Sequence, residues 1–208
     1  MTRLARLGPL VALLLACAFF AARTERFLSA ENLSLVLQQV MVVGVIAVGQ
    51  TLVILTAGID LSCGMVMALA GVVMTRLVAE AGIPVPLAIL AGVGVGVGFG
   101  LANGLLVSRL ALPPFIVTLG TLNIAFAITQ LHSDAQTVSD LPPSMLALGE
   151  ATVVGGAGVV HGVLVMLLLY LLAWFVLRET AAGRHVYAVG GHAEAARLAG
   201  IDVRRVLL

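Results

Sequence analysis

Apolar residues dominate the chain in long uninterrupted runs, and short polar stretches separate them. Residues 7–22 form the first run, after a short basic start carrying Arg3 and Arg6. Residues 23–32 are polar, and the chain is then apolar over about 36–78 except for a few central positions. As one helix that second run would measure about 65 Å, twice the hydrocarbon thickness of a bilayer. It must cross twice, and Gly58-Ile59-Asp60 is the natural break. The pattern therefore predicts helices over 36–56 and 61–78, then 86–110, 115–130 and 159–176, six with the first. Residues 131–158 read as the longest non-helical stretch, and 178–208 as a polar tail with five arginines.

Around the central break an acid and several hydroxyls sit where apolar residues are expected. Gly58 is expected to take the left-handed conformation that closes a helix. Asp60 is expected to cap the next helix by accepting from the amide of Ser62 or Cys63. A broken helix at membrane depth is tolerated only inside protein or beside a wet cavity, and an acid there marks a functional site. Thr51, Thr56 and Ser62 are expected to line the same path, or to bond their own helical carbonyls. In the fourth helix, glycines alternate with valine and phenylalanine. A lone strand would leave its backbone unsatisfied in lipid, so the segment is helical. Gly92, Gly96, Gly100 and Gly104 then fall in one row, a small-residue face for close helix packing.

The 208 residues are 61% hydrophobic and 10% charged, against about 25% charged in soluble domains. This makes the chain an all-α, polytopic membrane protein with about six spans. The net charge of +1 offers no nucleic-acid signal. Cys17 and Cys63 lie in apolar runs and indicate no disulfide framework. The basic start and Ala16-Cys17-Ala18 resemble a signal peptide, but the apolar run continues past that point and favours a retained helix. Arginines at 3, 6, 109 and in the tail share one side if six helices alternate, which places both termini in the cytoplasm; Arg23 and Arg26 run against the trend. His132 with Asp134, His161 and Cys63 lack the spacing of a metal or nucleophilic site, so no metal, cofactor or catalytic residue is expected.

In the tail, residues 193–199 read as two helical turns ended by Gly200, with Glu194 and Arg197 placed to suit the helix dipole. So short a helix must pack on something, either the membrane helices or another subunit.

Three blocks carry a family resemblance. Residues 48–62 resemble the GQTLVILTGGIDLSVGS signature of ribose-type permeases of bacterial ABC importers for simple sugars. Ala57, Cys63 and Met65 depart from the usual Gly, Val and Ser. Pro114 to Thr121 is similar to a PFI-x-TLGT block, although Phe126-Ala127 stands where relatives carry Arg-Gly. Residues 183–205 look like GR-x-x-YAxGGN-x-x-AA-x-x-SGI, with His192 for Asn and Ala199 for Ser.

The resemblance implies a permease subunit in the bacterial inner membrane that moves a monosaccharide and catalyses no chemistry. It implies a separate ABC ATPase, a periplasmic sugar-binding protein, surrounding lipid, and a second permease copy or a subunit supplying a missing half. It also implies that residues 1–178 form the transmembrane domain and 179–208 a cytoplasmic loop with a coupling helix, in which Gly191, Glu194, Ala195, Ala196, Arg197 and Gly200 meet the ATPase. The absence of a GxxxxGK sequence followed by Ser or Thr agrees that ATP is hydrolysed elsewhere. Such permeases run to about ten helices, so a partial, truncated version that does not transport alone is expected. Permeases for nucleosides or branched-chain amino acids, and an intramembrane enzyme, are the alternatives.

Overall fold

The computed structural model describes residues 3–139, 141–147, 149–154 and 157–208. Helices α1 (Arg3–Arg23), α2 (Ala30–Leu55), α3 (Cys63–Ala79), α4 (Val85–Leu110) and α5 (Pro114–Ser133) follow one another. A single turn, α6 (Pro143–Leu146), leads to an antiparallel hairpin of β1 (Ala151–Val154) and β2 (Ala157–Val160). Then come α7 (His161–Glu179), α8 (Ala181–Leu198) and α9 (Val203–Leu207). The six expected apolar helices are present. Among the described residues, four are long and apolar enough to cross a membrane, and two shorter apolar stretches accompany them, Gly8–Arg23 within α1 and Cys63–Ala79. The 17 residues of α3 span about 25 Å, and the extended approach through 57–62 makes up the difference.

The hairpin is a departure from the expected loop. Its β2 strand packs on α2 and α7, where Val160, Val163 and Met166 form a small core with Met41. A second packed group joins α3, α4 and α5 around Leu69, Ala88, Val117 and Ala125. The outward faces are apolar, as in Leu164, Leu168, Leu171 and Phe175 of α7, which suits lipid as solvent. At the end of the bundle holding the α3–α4 loop, Arg76 bonds Glu80 at 2.6 Å and also reaches Asp134 and the His132 carbonyl. His161 Nδ1 lies 2.7 Å from the Ala147 carbonyl. Asp140 lies outside the described residues.

The end of α2 corrects one expectation. The left-handed residue is Ala57, at φ 60°, and not Gly58. Gly58 N donates to Val53 O at 2.9 Å and Ala57 N to Ile54 O at 2.9 Å, the paired bonds of a Schellman motif. Gly58 is small for a different reason: a Cβ there would sit 3.0 Å from Val53 Cγ1 and 3.1 Å from Val53 O. Gly82 and Gly200 hold the left-handed position after α3 and α8, and Ala111 holds it after α4. An alanine in that conformation is strained by about 1 kcal/mol relative to glycine. Ala57→Gly is therefore expected to raise the detergent unfolding midpoint by roughly 2–4 °C. An unchanged or lower midpoint would mean that the alanine methyl makes compensating contacts.

Candidate functional site

The extended link 57–62 leaves α2, turns, and enters α3 beside α4 and α5. Asp60 Oδ1 accepts from the Ser62 amide at 2.7 Å and from the Ser62 hydroxyl at 2.6 Å. The expected amide bond is present, although α3 begins only at Cys63, two residues later than the sequence suggests. Ser62 is 1% exposed and is reached from α4 by Asn103 Nδ2, which donates to its Oγ at 3.1 Å. From α2, Gln50 Nε2 donates to the Asp60 carbonyl at 2.8 Å and lies 2.9 Å from Cys63 Sγ. From α5, Thr118 Oγ1 lies 3.1 Å from Ile59 O and shares its proton between that carbonyl and Pro114 O at 2.8 Å. Side chains of three helices, α2, α4 and α5, thus bond one short segment, which satisfies the broken backbone where water is scarce.

Two cavities flank the link. One, of about 340 Å³, lies between α2, α3 and α4 and is lined by Gln50, Asp60, Ser62, Cys63, Gly96 and Asn103 among others. The other, of about 480 Å³, is lined by Thr56, Gly58, Asp60, Gly104, Thr118 and Leu208 among others. Val53, Asp60, Gly100 and Asn103 line both and form the septum between them. Among the described residues, no arginine, lysine or histidine lines either.

Of the expected site residues, Gly58, Asp60, Ser62 and Thr56 border these cavities, while Thr51 lines neither. Thr51 bonds Ala47 O at 2.7 Å and Thr56 bonds Val53 O at 2.8 Å, both within their own helix.

The glycine row also splits. A Cβ at Gly92 would collide with Met74 of α3, and one at Gly104 would sit 3.2 Å from the Leu208 backbone, so these two are packing positions. Gly96 and Gly100 have no atom within 4 Å of a Cβ and border the cavities instead. Among the described residues of this chain, Gly92 and Gly104 alone of the row pack closely against a neighbour. Gln50 and Asn103 were not singled out as site residues on sequence. The available signal was an amide side chain inside an apolar helix.

The tail lies close to this site. Residues 181–191 are helical, capped by Thr180 Oγ1 accepting from Gly183 N at 3.3 Å, and pack on α7 and α2. A Cβ on Gly190 would overlap the Leu55 carbonyl oxygen and approach Thr56 Cα to 3.3 Å, so the helix rests on the closing turn of α2. At His192 the backbone leaves helical values (φ −162°, ψ 96°). His192 Nδ1 then accepts from Ala195 N at 3.1 Å and caps the second segment. In that segment Ala196 is 4% exposed and packed within this chain, which corrects its expected place on a surface that meets a partner. Gly191, Glu194, Ala195, Arg197, Ala199 and Gly200 are exposed, and so is Leu198, at 77%. Arg197 grips Glu194 through bonds of 3.0 and 2.5 Å, which hold the Glu194 carboxyl below its ordinary range. So exposed a pair contributes little to stability.

Residues 32–208 match the family described as branched-chain amino acid transport system / permease component. The chain is 46% identical over 206 residues to the fructose import permease protein of Rhizobium meliloti, covering 96% of this chain and 57% of that protein. It is 36% identical to the ribose import permease protein of Bacillus subtilis, over 97% of this chain and 62% of that one. It is also 36% identical to the D-allose transport system permease protein of Escherichia coli, over 89% of this chain and 56% of that one. The chain therefore spans about three fifths of the length of these relatives. No solved structure matches it. Its interrupted second apolar run, its six apolar helices and the match over 32–208 make this chain a member of that permease family.

Proposed function

We propose that this chain is the membrane permease part of an ATP-driven importer for a monosaccharide. The observation that carries the reading is the hydrogen-bonded break around Asp60, set between two cavities without a basic side chain. A neutral polyol can be held there by amide, hydroxyl and carboxylate groups. An amino acid would bring a carboxylate with no cation to meet it. This argues for sugar over the branched-chain amino acids in the family's description, and the relatives named for fructose, ribose and allose support the same choice.

The chain is a multi-pass protein of the inner membrane, consistent with its family and its apolar helices. In the proposed arrangement the end bearing Arg109, Arg178, Arg184 and the tail faces the cytoplasm, following the excess of arginines. A separate ATPase docks on the tail there, and a periplasmic binding protein delivers sugar to the opposite end. A second permease copy, or another membrane subunit, covers the exposed faces of the helices. Chemistry on the sugar is not part of the proposal.

Within the tail, the surface offered to the ATPase is Ala195, Leu198 and Ala199. The test is ATP hydrolysis by the assembled transporter in response to sugar-loaded binding protein. Stimulation is expected with the natural chain, and Leu198→Glu is expected to lower it about tenfold, the effect of losing one apolar anchor. The amount of Leu198→Glu chain in the membrane should stay the same, because the side chain is exposed. Absence of stimulation with the natural chain would contradict the function, and full stimulation with Leu198→Glu would contradict the docking surface.

A further inference from the structure

Among the buried side-chain nitrogen and oxygen atoms described, Asn103 Oδ1 alone has no hydrogen-bond partner. Asn103 is 8% exposed and lies in the septum, lining both cavities. Its amide orientation follows from its neighbours. The Ser62 hydroxyl has one proton, and that proton goes to the Asp60 carboxylate at 2.6 Å. Ser62 Oγ can then only accept from α4, so Asn103 turns Nδ2 towards it at 3.1 Å. The carbonyl oxygen is left as an acceptor in fixed position. A buried acceptor without a donor is costly.

We infer that Asn103 Oδ1 is the hydroxyl-accepting point of a sugar subsite in the septum, with Asp60 beside it as a second acceptor and Gly96 and Gly100 leaving room for the ring. The subsite takes a neutral polyhydroxylated molecule. Asp60 repels anions, and the cavities hold no basic side chain to offset that repulsion. Van der Waals contact comes from Val53, Val66 and Phe99. The inference rests on the permease reading and adds where in the chain the sugar is recognised. Water is the competing donor, and a water-only site is the alternative that the test must separate.

Cys63 lines the same cavity and serves as the reporter. In membranes holding the full chain with Cys17→Ala, the rate at which N-ethylmaleimide modifies Cys63 is followed with and without millimolar D-fructose, D-ribose or D-allose. At least one of the three is expected to slow the reaction in a saturable way, while mannitol-free buffer of matched osmolarity does not. Asn103→Leu, with protection taken relative to its own sugar-free rate, is expected to raise the half-protecting concentration about tenfold, the loss of one hydrogen bond. Gly100→Val, where a Cβ meets nothing within 4 Å, leaves the bonds around Ser62 intact but fills the septum, and should abolish protection. No protection by any of the three sugars means a water-only site and overturns the inference. Equal protection in Asn103→Leu or Gly100→Val overturns it as well. Sugar uptake by the complete transporter without Asn103-dependent protection removes the subsite and leaves the permease reading. Absence of uptake removes the reading itself.

Discussion

Asp60→Ala is expected to destabilise the helix break by about 3 kcal/mol, because two donors lose their acceptor at once. Ser62 N and Ser62 Oγ both donate to Asp60 Oδ1, and Ser62 is 1% exposed, so water cannot replace the carboxylate. The hydroxyl that Asn103 approaches loses its orientation too, and the contact between α3 and α4 weakens with it. Asp60→Asn keeps an oxygen in the same place and loses only the charge-assisted part, about 1 kcal/mol. Unfolding in detergent should therefore rank natural chain, Asn, then Ala, with the larger gap between Asn and Ala. Equal midpoints for Ala and the natural chain would show that the Ser62 donors find other partners. An Asn variant as weak as Ala would show that the charge, and not the acceptor geometry, holds the link.

Gly190→Ala is expected to cost about 3 kcal/mol, because the added carbon meets backbone that no rotamer change can move. The obstacle is the Leu55 carbonyl, with Thr56 Cα at 3.3 Å. Gly191, the next residue, has nothing within 4 Å of a Cβ, and Gly191→Ala should change stability by less than about 0.5 kcal/mol. Thermal unfolding of the two variants side by side checks the contact. Equal behaviour would mean that α8 does not rest on the closing turn of α2. The turn that Gly190 touches is followed directly by Ala57, Gly58 and the Asp60 link, which borders the cavities.

Much of this arrangement was legible in the sequence. The run over 36–78 was too long for one crossing, and Gly58-Ile59-Asp60 was its one plausible break, so the position of the site followed from length alone. Which residue turned left-handed was not legible, since glycine is the better occupant and alanine holds the place. The helix over 181–191 was missed because its Gly, Ala, His and Arg residues show no apolar period; it is held by the capping Thr180 and by a seat on α2. Spacing four put Gly92, Gly96, Gly100 and Gly104 on one face, but spacing does not say whether a neighbour or a cavity stands opposite. Met74 and Leu208 decide that for the two outer glycines. The importance of Asn103 depends on Ser62, 41 residues earlier, and only folding brings the two together.

Sugar uptake tests the proposed function most directly. Membrane vesicles carrying this chain, with its cognate ATPase, binding protein and any further membrane subunit of the transporter, are loaded with ATP and given radiolabelled D-fructose, D-ribose and D-allose. ATP-dependent accumulation of at least one sugar, lost with Asp60→Ala and largely kept with Asp60→Asn, is the predicted result. Accumulation of none of the three, or accumulation indifferent to Asp60→Ala, would contradict a monosaccharide path at the helix break.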